Sequence, residues 1–299
     1  MWILLAFLSA FFAGLTSVLA KIGLKNTDSN VATALRTVIV VIFSWLLVFI
    51  SGSVWDIGDI TLSTLFFLIL SGLATGASWI CYYRALQLGD VNKVVPIDKS
   101  STILSMLFAI SILGETDNLP VKITGLLLIG TGTFMMVAQG NSRQAAESKD
   151  DTNIKKRFLG SWLVFAVLSA VFAALTSILG KIGIENVDSN LGTAIRTLVV
   201  LAMAWVVVFM QKKQHSIKAI DLKSWGFILF SGLATGLSWL CYYKALQDGE
   251  ACVVVPIDKL SILITAFFAV FVLKEKMSKK ALMGLGVLTA GTLVLLMKF

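Results

Sequence analysis

Residues 71–99 read SGLATGASWICYYRALQLGDVNKVVPIDK, and residues 231–259 read SGLATGLSWLCYYKALQDGEACVVVPIDK. The offset is 160 residues, and 21 of the 29 aligned positions are identical. Working outward at the same offset, DSNVATALRT (28–37) meets DSNLGTAIRT (188–197), and Lys21 meets Lys181. One residue drops out after Glu115 and Glu275, so that Gly125 matches Gly284. An internal repeat of this extent fixes the organisation before any local reading does. The chain divides into a first repeat, 1–139, a polar linker, 140–159, and a second repeat, 160–299.

Of the 299 residues, 57% are hydrophobic and 14% are charged, against about 25% charged in ordinary soluble domains. The apolar residues gather into blocks of about 20, the length that crosses a hydrocarbon core of about 30 Å. Each repeat holds five blocks, near 2–24, 30–50, 62–88, 93–114 and 119–139, then 160–184, 190–210, 222–248, 253–273 and 280–297. Turn signals such as NTDSN and NVDSN separate them. Open sheets are excluded in lipid, and no block alternates with period two. The expectation is an all-α integral membrane protein with ten transmembrane helices. The first block has no basic leader and no small-residue cleavage site, so it reads as a span and not as a signal peptide. Three cysteines without metal or disulfide spacing, and one loop histidine, His215, point to no cofactor and no metal.

Five is an odd number, and that decides the symmetry. A repeat with an odd number of spans leaves its copy entering the membrane from the opposite face, so the halves form inverted repeats. Such repeats suit alternating access, because exchanging the conformations of the halves opens the two faces in turn. The net charge of +8 belongs to short loops and signals topology, not nucleic-acid binding. Lys149, Lys155, Lys156, Arg157, Lys212, Lys213, Lys218, Lys223, Lys274, Lys276, Lys279 and Lys280 all fall on the linker's side. The charge rule places that side in the cytoplasm and both termini outside.

Ionisable residues inside spans are costly in lipid and are functional candidates. Arg36 and Arg196 lie about two turns into the second span of each repeat, with Asp28 and Asp188 as possible partners in the preceding turn. Lys21, Lys181, Arg84 and Lys244 lie nearer span ends, where snorkelling suffices. In the third span, Gly72 and Gly76, repeated as Gly232 and Gly236, have the spacing that lets helices approach closely. Trp79, Tyr82 and Tyr83 then share one face, as do Trp239, Tyr242 and Tyr243. An interfacial aromatic belt is one reading; a cavity wall that stacks on a flat substrate or holds a cation is the other. In the fourth span, Pro96 and Pro256 suit a first helical turn, which would set Asp98 and Asp258 near a helix N-terminus. Capping accounts for the aspartates alone. The stripe of Asp98, Ser101 and Ser105, matched by Asp258, Ser261 and Thr265, points to pathway lining or gating. Lys99 and Lys259, beside the aspartates, offer cationic sites or gate partners.

Two five-span repeats, an early proline in each fourth span, LGE at 113–115 and the Gly-rich GLLLIGTGT and GLGVLTAGT resemble the EamA-type family of the drug/metabolite transporter superfamily. The resemblance covers the whole chain. It implies a secondary transporter with a central cavity, often an exporter of amino acids or other small metabolites. It implies cytoplasmic termini, opposite to the loop charges. The likeness of the halves also resembles single-repeat members that work as antiparallel pairs, so a monomer and a homodimer are both open. The expected partners are the lipid bilayer, a small polar substrate and a coupling proton carried by Asp98 or Asp258. The setting is the plasma membrane, as a multi-pass protein of a bacterial inner membrane. A flippase for a lipid-linked sugar or phosphate is the alternative. An intramembrane enzyme is disfavoured, since no G-x-G-D pair, serine–histidine dyad or metal site is written in the spans.

Overall fold

The computed structural model describes residues 1–23, 28–88, 94, 97–137, 162–271 and 278–297, with side chains omitted for 21–23, 137, 219 and 269. The linker 140–159, Pro96, Glu275, the Lys21 side chain and the loop lysines 274 and 276 lie outside the described residues. Among those described, the chain is helical: α1 (Trp2–Gly23), α2 (Ser29–Ser51), α3 (Leu62–Leu88), α4 (Ser101–Ile112) and α5 (Leu119–Val137) come from the first repeat. The second gives α6 (Trp162–Ile184), α7 (Ser189–Met210), α8 (Leu222–Asp248), α9 (Ala251–Lys259), α10 (Ser261–Phe271) and α11 (Lys279–Leu296). Nine of the described segments, α9 and α10 together forming one, are long and apolar enough to span a bilayer. Phe11, Ile42, Phe49, Phe66, Phe209, Phe230 and Phe267 are exposed. A surface of this kind fits hydrocarbon, and the molecule is a multi-pass membrane protein.

The repeats carry the same boundary chemistry. Asp28 and Asp188 cap α2 and α7, and each carboxylate accepts from two backbone amides, an arrangement worth about 1 kcal/mol. Short 3₁₀ turns follow at Ser53–Asp59 and Gln214–Ala219. The third helices start on Thr61, whose hydroxyl accepts from Thr64 N, and on Asp221, which accepts from the amide and hydroxyl of Ser224. That hydroxyl bond holds the Asp221 carboxyl below the usual carboxylate range.

Two compact units result, and each draws on both repeats. The first comprises 1–76 and 176–275. In it α1 packs along α8, α9 and α10, while α2 packs on α7 and α8. The first helix of one repeat therefore lies against the third and fourth helices of the other. Close approach comes from the glycines the sequence singled out. A Cβ on Gly72 would lie 2.7 Å from Val199 Cβ, and one on Gly232 would lie 2.8 Å from Ile39 Cβ. The second unit comprises 77–175 and 276–299. Its spine is the pair α5–α11, in which Gly132 and Gly284 face each other backbone to backbone. A Cβ on either would come within 2.7 Å of the other's carbonyl oxygen. Between helices in lipid, such packing and interhelical hydrogen bonds supply the attraction that apolar burial supplies in water.

Candidate functional site

In the first unit a guanidinium is enclosed. Arg196 projects from α7 and is 2% exposed. Its Nε donates to Ser71 Oγ at 2.8 Å and its Nη2 to Thr75 Oγ1 at 2.6 Å. Both hydroxyls lie on α3, the third helix of the other repeat. Ser71 Oγ in turn donates to the Thr176 carbonyl at 2.7 Å, and Thr75 Oγ1 stands 3.3 Å from Thr176 Oγ1. The Arg196 Cζ lies 4.7 Å from the ring centroid of Tyr243 and 5.4 Å from that of Trp239. A Cβ at Gly180 would come within 2.6 Å of the Tyr243 ring, so the missing side chain there makes room for the aromatic. Arg196 Nη1 is buried and has no hydrogen-bond partner among the described residues. Nor does Arg196 form an ion pair among them. A buried, unneutralised cation with an unfilled donor is expensive to hold in a low-dielectric interior. Charge, orphan donor and two aromatic faces are thus brought together at one buried point.

The carboxylates proposed from sequence as arginine partners are used elsewhere. Asp188 caps its helix, and Asp28 caps its own and pairs with Lys213 at 3.4 Å. Arg36, the repeat mate of Arg196, is half-buried and donates from Nη2 to Thr33 Oγ1 at 3.3 Å. The aromatic walls also divide. Trp239 and Tyr243 gather at Arg196, whereas the Tyr242 hydroxyl is 2.8 Å from Ser177 Oγ. In the second unit Tyr82 and Tyr83 meet edge to face at 5.9 Å, and Tyr82 packs against Ala85, Val94 and Ala166. Trp79 is half-buried. Lys181, read as a snorkelling residue, donates its Nζ to the carbonyl of Gly249, which ends α8.

The aspartates are held by serines. Ser9 Oγ donates to Asp258 Oδ1 at 2.6 Å, and Ser238 Oγ donates to the Ser9 carbonyl at 3.1 Å. In the second unit Ser169 Oγ donates to Asp98 Oδ1 at 2.9 Å, and Ser78 Oγ donates to the Ser169 carbonyl at 3.0 Å. The placement of Asp258 near a helix N-terminus is corrected. Pro256 is the sixth residue of α9, and Asp258 lies in its last turn, just before the break at Leu260. The missing N–H and the ring of a proline disturb the helix they sit in. At the break, Leu260 N bonds back to Ile257 O, as Ser100 N does to Ile97 O in the first repeat. The polar stripe is only partly a stripe. Ser105 and Thr265 turn their hydroxyls onto the carbonyls of Ser101 and Ser261 in their own helices. Ser101 is buried and Ser261 half-buried, while Lys99 and Lys259 are exposed.

Sequence reasoning missed Ser9, Ser169, Ser71, Thr75, Ser78, Ser238 and Thr176. The signal was there. LSAFFAGLTS (8–17) and LSAVFAALTS (168–177) repeat every hydroxyl at the same offset. SGLATG carries Ser71 and Thr75 in the most faithfully repeated stretch of the chain.

With that geometry in hand, likeness to known proteins becomes informative. The model of the EamA-like transporter family matches residues 1–138 and, a second time, 160–297. A Sinorhizobium protein, the uncharacterized transporter in the cobO 3' region, is 42% identical over 135 residues. The match takes in 96% of that protein but 45% of this chain, so the relative has the length of a single repeat. A solved crystal structure, described only as that of a protein, aligns with a TM-score of 0.73 at 15% identity, covering 97% of this chain and 96% of its own. It shares the fold.

Proposed function

The chain belongs to the EamA-like transporter family, and from that premise we propose secondary active export of a small polar metabolite, an amino acid or a related carboxylate. The route is alternating access between the two inverted repeats. One observation carries the substrate class: the enclosed Arg196, with Nη1 unfilled and the Trp239 and Tyr243 rings beside it. A carboxylate would meet the guanidinium, and its apolar body would rest on the aromatic faces. A relative of single-repeat length supports reading the two repeats as the two moving halves. Asp98 and Asp258 are our assigned carriers of a coupling proton. Each accepts a serine hydroxyl from the first helix of the other repeat, so protonation would change the bond between those helices.

The test is a thermal-shift panel of amino acids, other small carboxylates, sugar phosphates and lipid-headgroup analogues, followed by counterflow in proteoliposomes. Soluble carboxylates should stabilise the protein and lose that effect in Arg196→Met. Stabilisation by headgroup analogues alone would replace this reading with the flippase. Asp98→Asn and Asp258→Asn should abolish proton-driven accumulation; undiminished accumulation would remove the aspartates from coupling.

A further inference from the structure

The two repeats hold their arginines in different seats. Arg36 Nη2 donates to Thr33 Oγ1 one turn back on its own helix, and Thr33 donates to the Ser29 carbonyl at 2.7 Å. Arg196 has left the corresponding position. It reaches across to Ser71 and Thr75 of the other repeat, and Thr193, the mate of Thr33, is left with its hydroxyl buried and no hydrogen-bond partner among the described residues. The mates of Ser71 and Thr75 divide. Ser231 Oγ turns back onto α8 and donates to the Ile228 carbonyl, where Ser71 Oγ reaches across to the Thr176 carbonyl, whereas Thr235 Oγ1 donates to the Ser231 carbonyl just as Thr75 Oγ1 does to the Ser71 carbonyl.

One close approach beside the two arginines is nevertheless shared. Gly72 abuts Val199 as Gly232 abuts Ile39, each at the repeat-related place. One chain thus displays both arginine arrangements side by side.

We propose that Thr193, Ser71 and Thr75 are positioning residues that give Arg196 two alternative seats, and that Thr33, Ser231 and Thr235 do the same for Arg36. In this structure Arg36 takes the local seat and Arg196 the cross-repeat seat. Passage to the opposite-facing state exchanges them: Arg196 returns to Thr193 as Arg36 crosses to Ser231 and Thr235. The orphaned Thr193 hydroxyl is the second observation that points this way. A buried hydroxyl without a partner costs stability, and an intermittent partner accounts for its place. The exchange rests on the alternating-access reading above, but its test needs no substrate.

The experiment measures modification of Arg196 by phenylglyoxal, read by peptide mass spectrometry on the full chain in lipid nanodiscs, with the unfolding midpoint recorded in parallel. Ser71→Ala with Thr75→Val removes the cross-repeat seat and should raise Arg196 modification about tenfold, as loss of a charge-assisted hydrogen bond would. Thr193→Val removes the local seat and should lower modification severalfold without lowering the midpoint, because it deletes an unsatisfied hydroxyl. Thr193→Ser should restore the parental rate. Ser231→Ala with Thr235→Val, distant in sequence, should also lower Arg196 modification if the arginines move in exchange. The proposal is overturned if Thr193→Val and the Ser231/Thr235 pair leave Arg196 modification at the parental rate. It is equally overturned if modification rises only in step with a falling midpoint. A failed substrate panel with responsive arginines would discard the carboxylate and keep the seats.

Discussion

Around Asp98 and Asp258 the repeat-related atoms reproduce one another: a serine hydroxyl on the carboxylate at 2.9 Å and 2.6 Å, and a second serine on the first one's carbonyl at 3.0 Å and 3.1 Å. Around Arg36 and Arg196 they do not. One guanidinium rests on its own helix, and the other is enclosed between hydroxyls and rings from other helices. Both comparisons are drawn between residues 160 positions apart, so sequence divergence explains neither the likeness nor the difference. Fixed joints should look alike in both halves of an inverted-repeat machine at any moment. Parts that move should look unlike, because one conformation cannot be symmetric and face one side. Under the proposed seat exchange the arginines are the moving parts, and the aspartate clusters are matched sites that take up or release a proton alike in both halves.

The largest effect sharpens the idea of a joint. On α5 and α11, an alanine Cβ at 132 would lie 2.5 Å from Leu288 N and 2.6 Å from Gly284 O; one at 284 would lie 2.7 Å from Gly132 O and 2.8 Å from Met136 N. Backbone atoms cannot turn aside, so each substitution should cost about 3 kcal/mol by overpacking. Gly132→Ala and Gly284→Ala should lower the unfolding midpoint alike. Gly286→Ala, with open space at its Cβ, should raise it slightly through helix propensity. Unequal losses at 132 and 284 would show that this contact relaxes more easily from one helix than from the other.

The arginines should break the symmetry next. Arg196→Ala removes two charge-assisted bonds and an aromatic contact, partly offset by relief of a buried charge, for a net loss of about 2 kcal/mol. Arg36→Ala, at a half-buried site where the bond to Thr33 is long at 3.3 Å, should cost less, about 1 kcal/mol. Denaturant unfolding of the two variants compares them directly. Equal losses would mean that the seats differ in appearance but not in energy.

These residues also mark what the sequence could be read for. The repeat and the close-approach glycines were legible because each is a pattern in linear order. The polar pair Asp98 and Asp258 could be singled out from sequence as well, though not what holds their carboxylates. Such partners were not legible, because Ser9 lies 249 residues from Asp258 and Ser71 lies 125 from Arg196. Those pairings exist only because helices of each repeat pack against helices of the other. Periodicity within a helix carries no information about that packing. Asp188 looked like the natural partner of Arg196 because it was near in sequence, yet the helix start needed its carboxylate more.

Removing the serine from each aspartate tests the match between the two aspartate sites. Ser9→Ala and Ser169→Ala each delete one hydroxyl donor to a carboxylate, a loss of about 1 kcal/mol. The two should match within experimental error, since Ser238 and Ser78 remain in equivalent places. A difference beyond about 1 kcal/mol would place the aspartates among the moving parts, and their apparent likeness would belong to this conformation alone.

The smallest effect comes where the repeats solve one turn with different residues. After α2 the chain takes the left-handed conformation at Gly52, φ 78°, and Gly52 N donates to the Phe49 carbonyl. After α7 the same position is Lys212, φ 55°, and Lys212 N donates to the Phe209 carbonyl. A residue with a Cβ is strained there by roughly 1 kcal/mol, whereas glycine is not. Glycine gives part of that back through the greater freedom of its unfolded chain. Lys212→Gly should therefore stabilise the protein by about 0.5 kcal/mol, and Gly52→Ala should destabilise it by about 1 kcal/mol. Lys212 is exposed, and Asp28 pairs with Lys213 instead, so loss of the lysine charge removes no observed ion pair. A fall in midpoint for Lys212→Gly would mean that the charge at this loop contributes more than the turn costs, as a charge fixed at the membrane surface would.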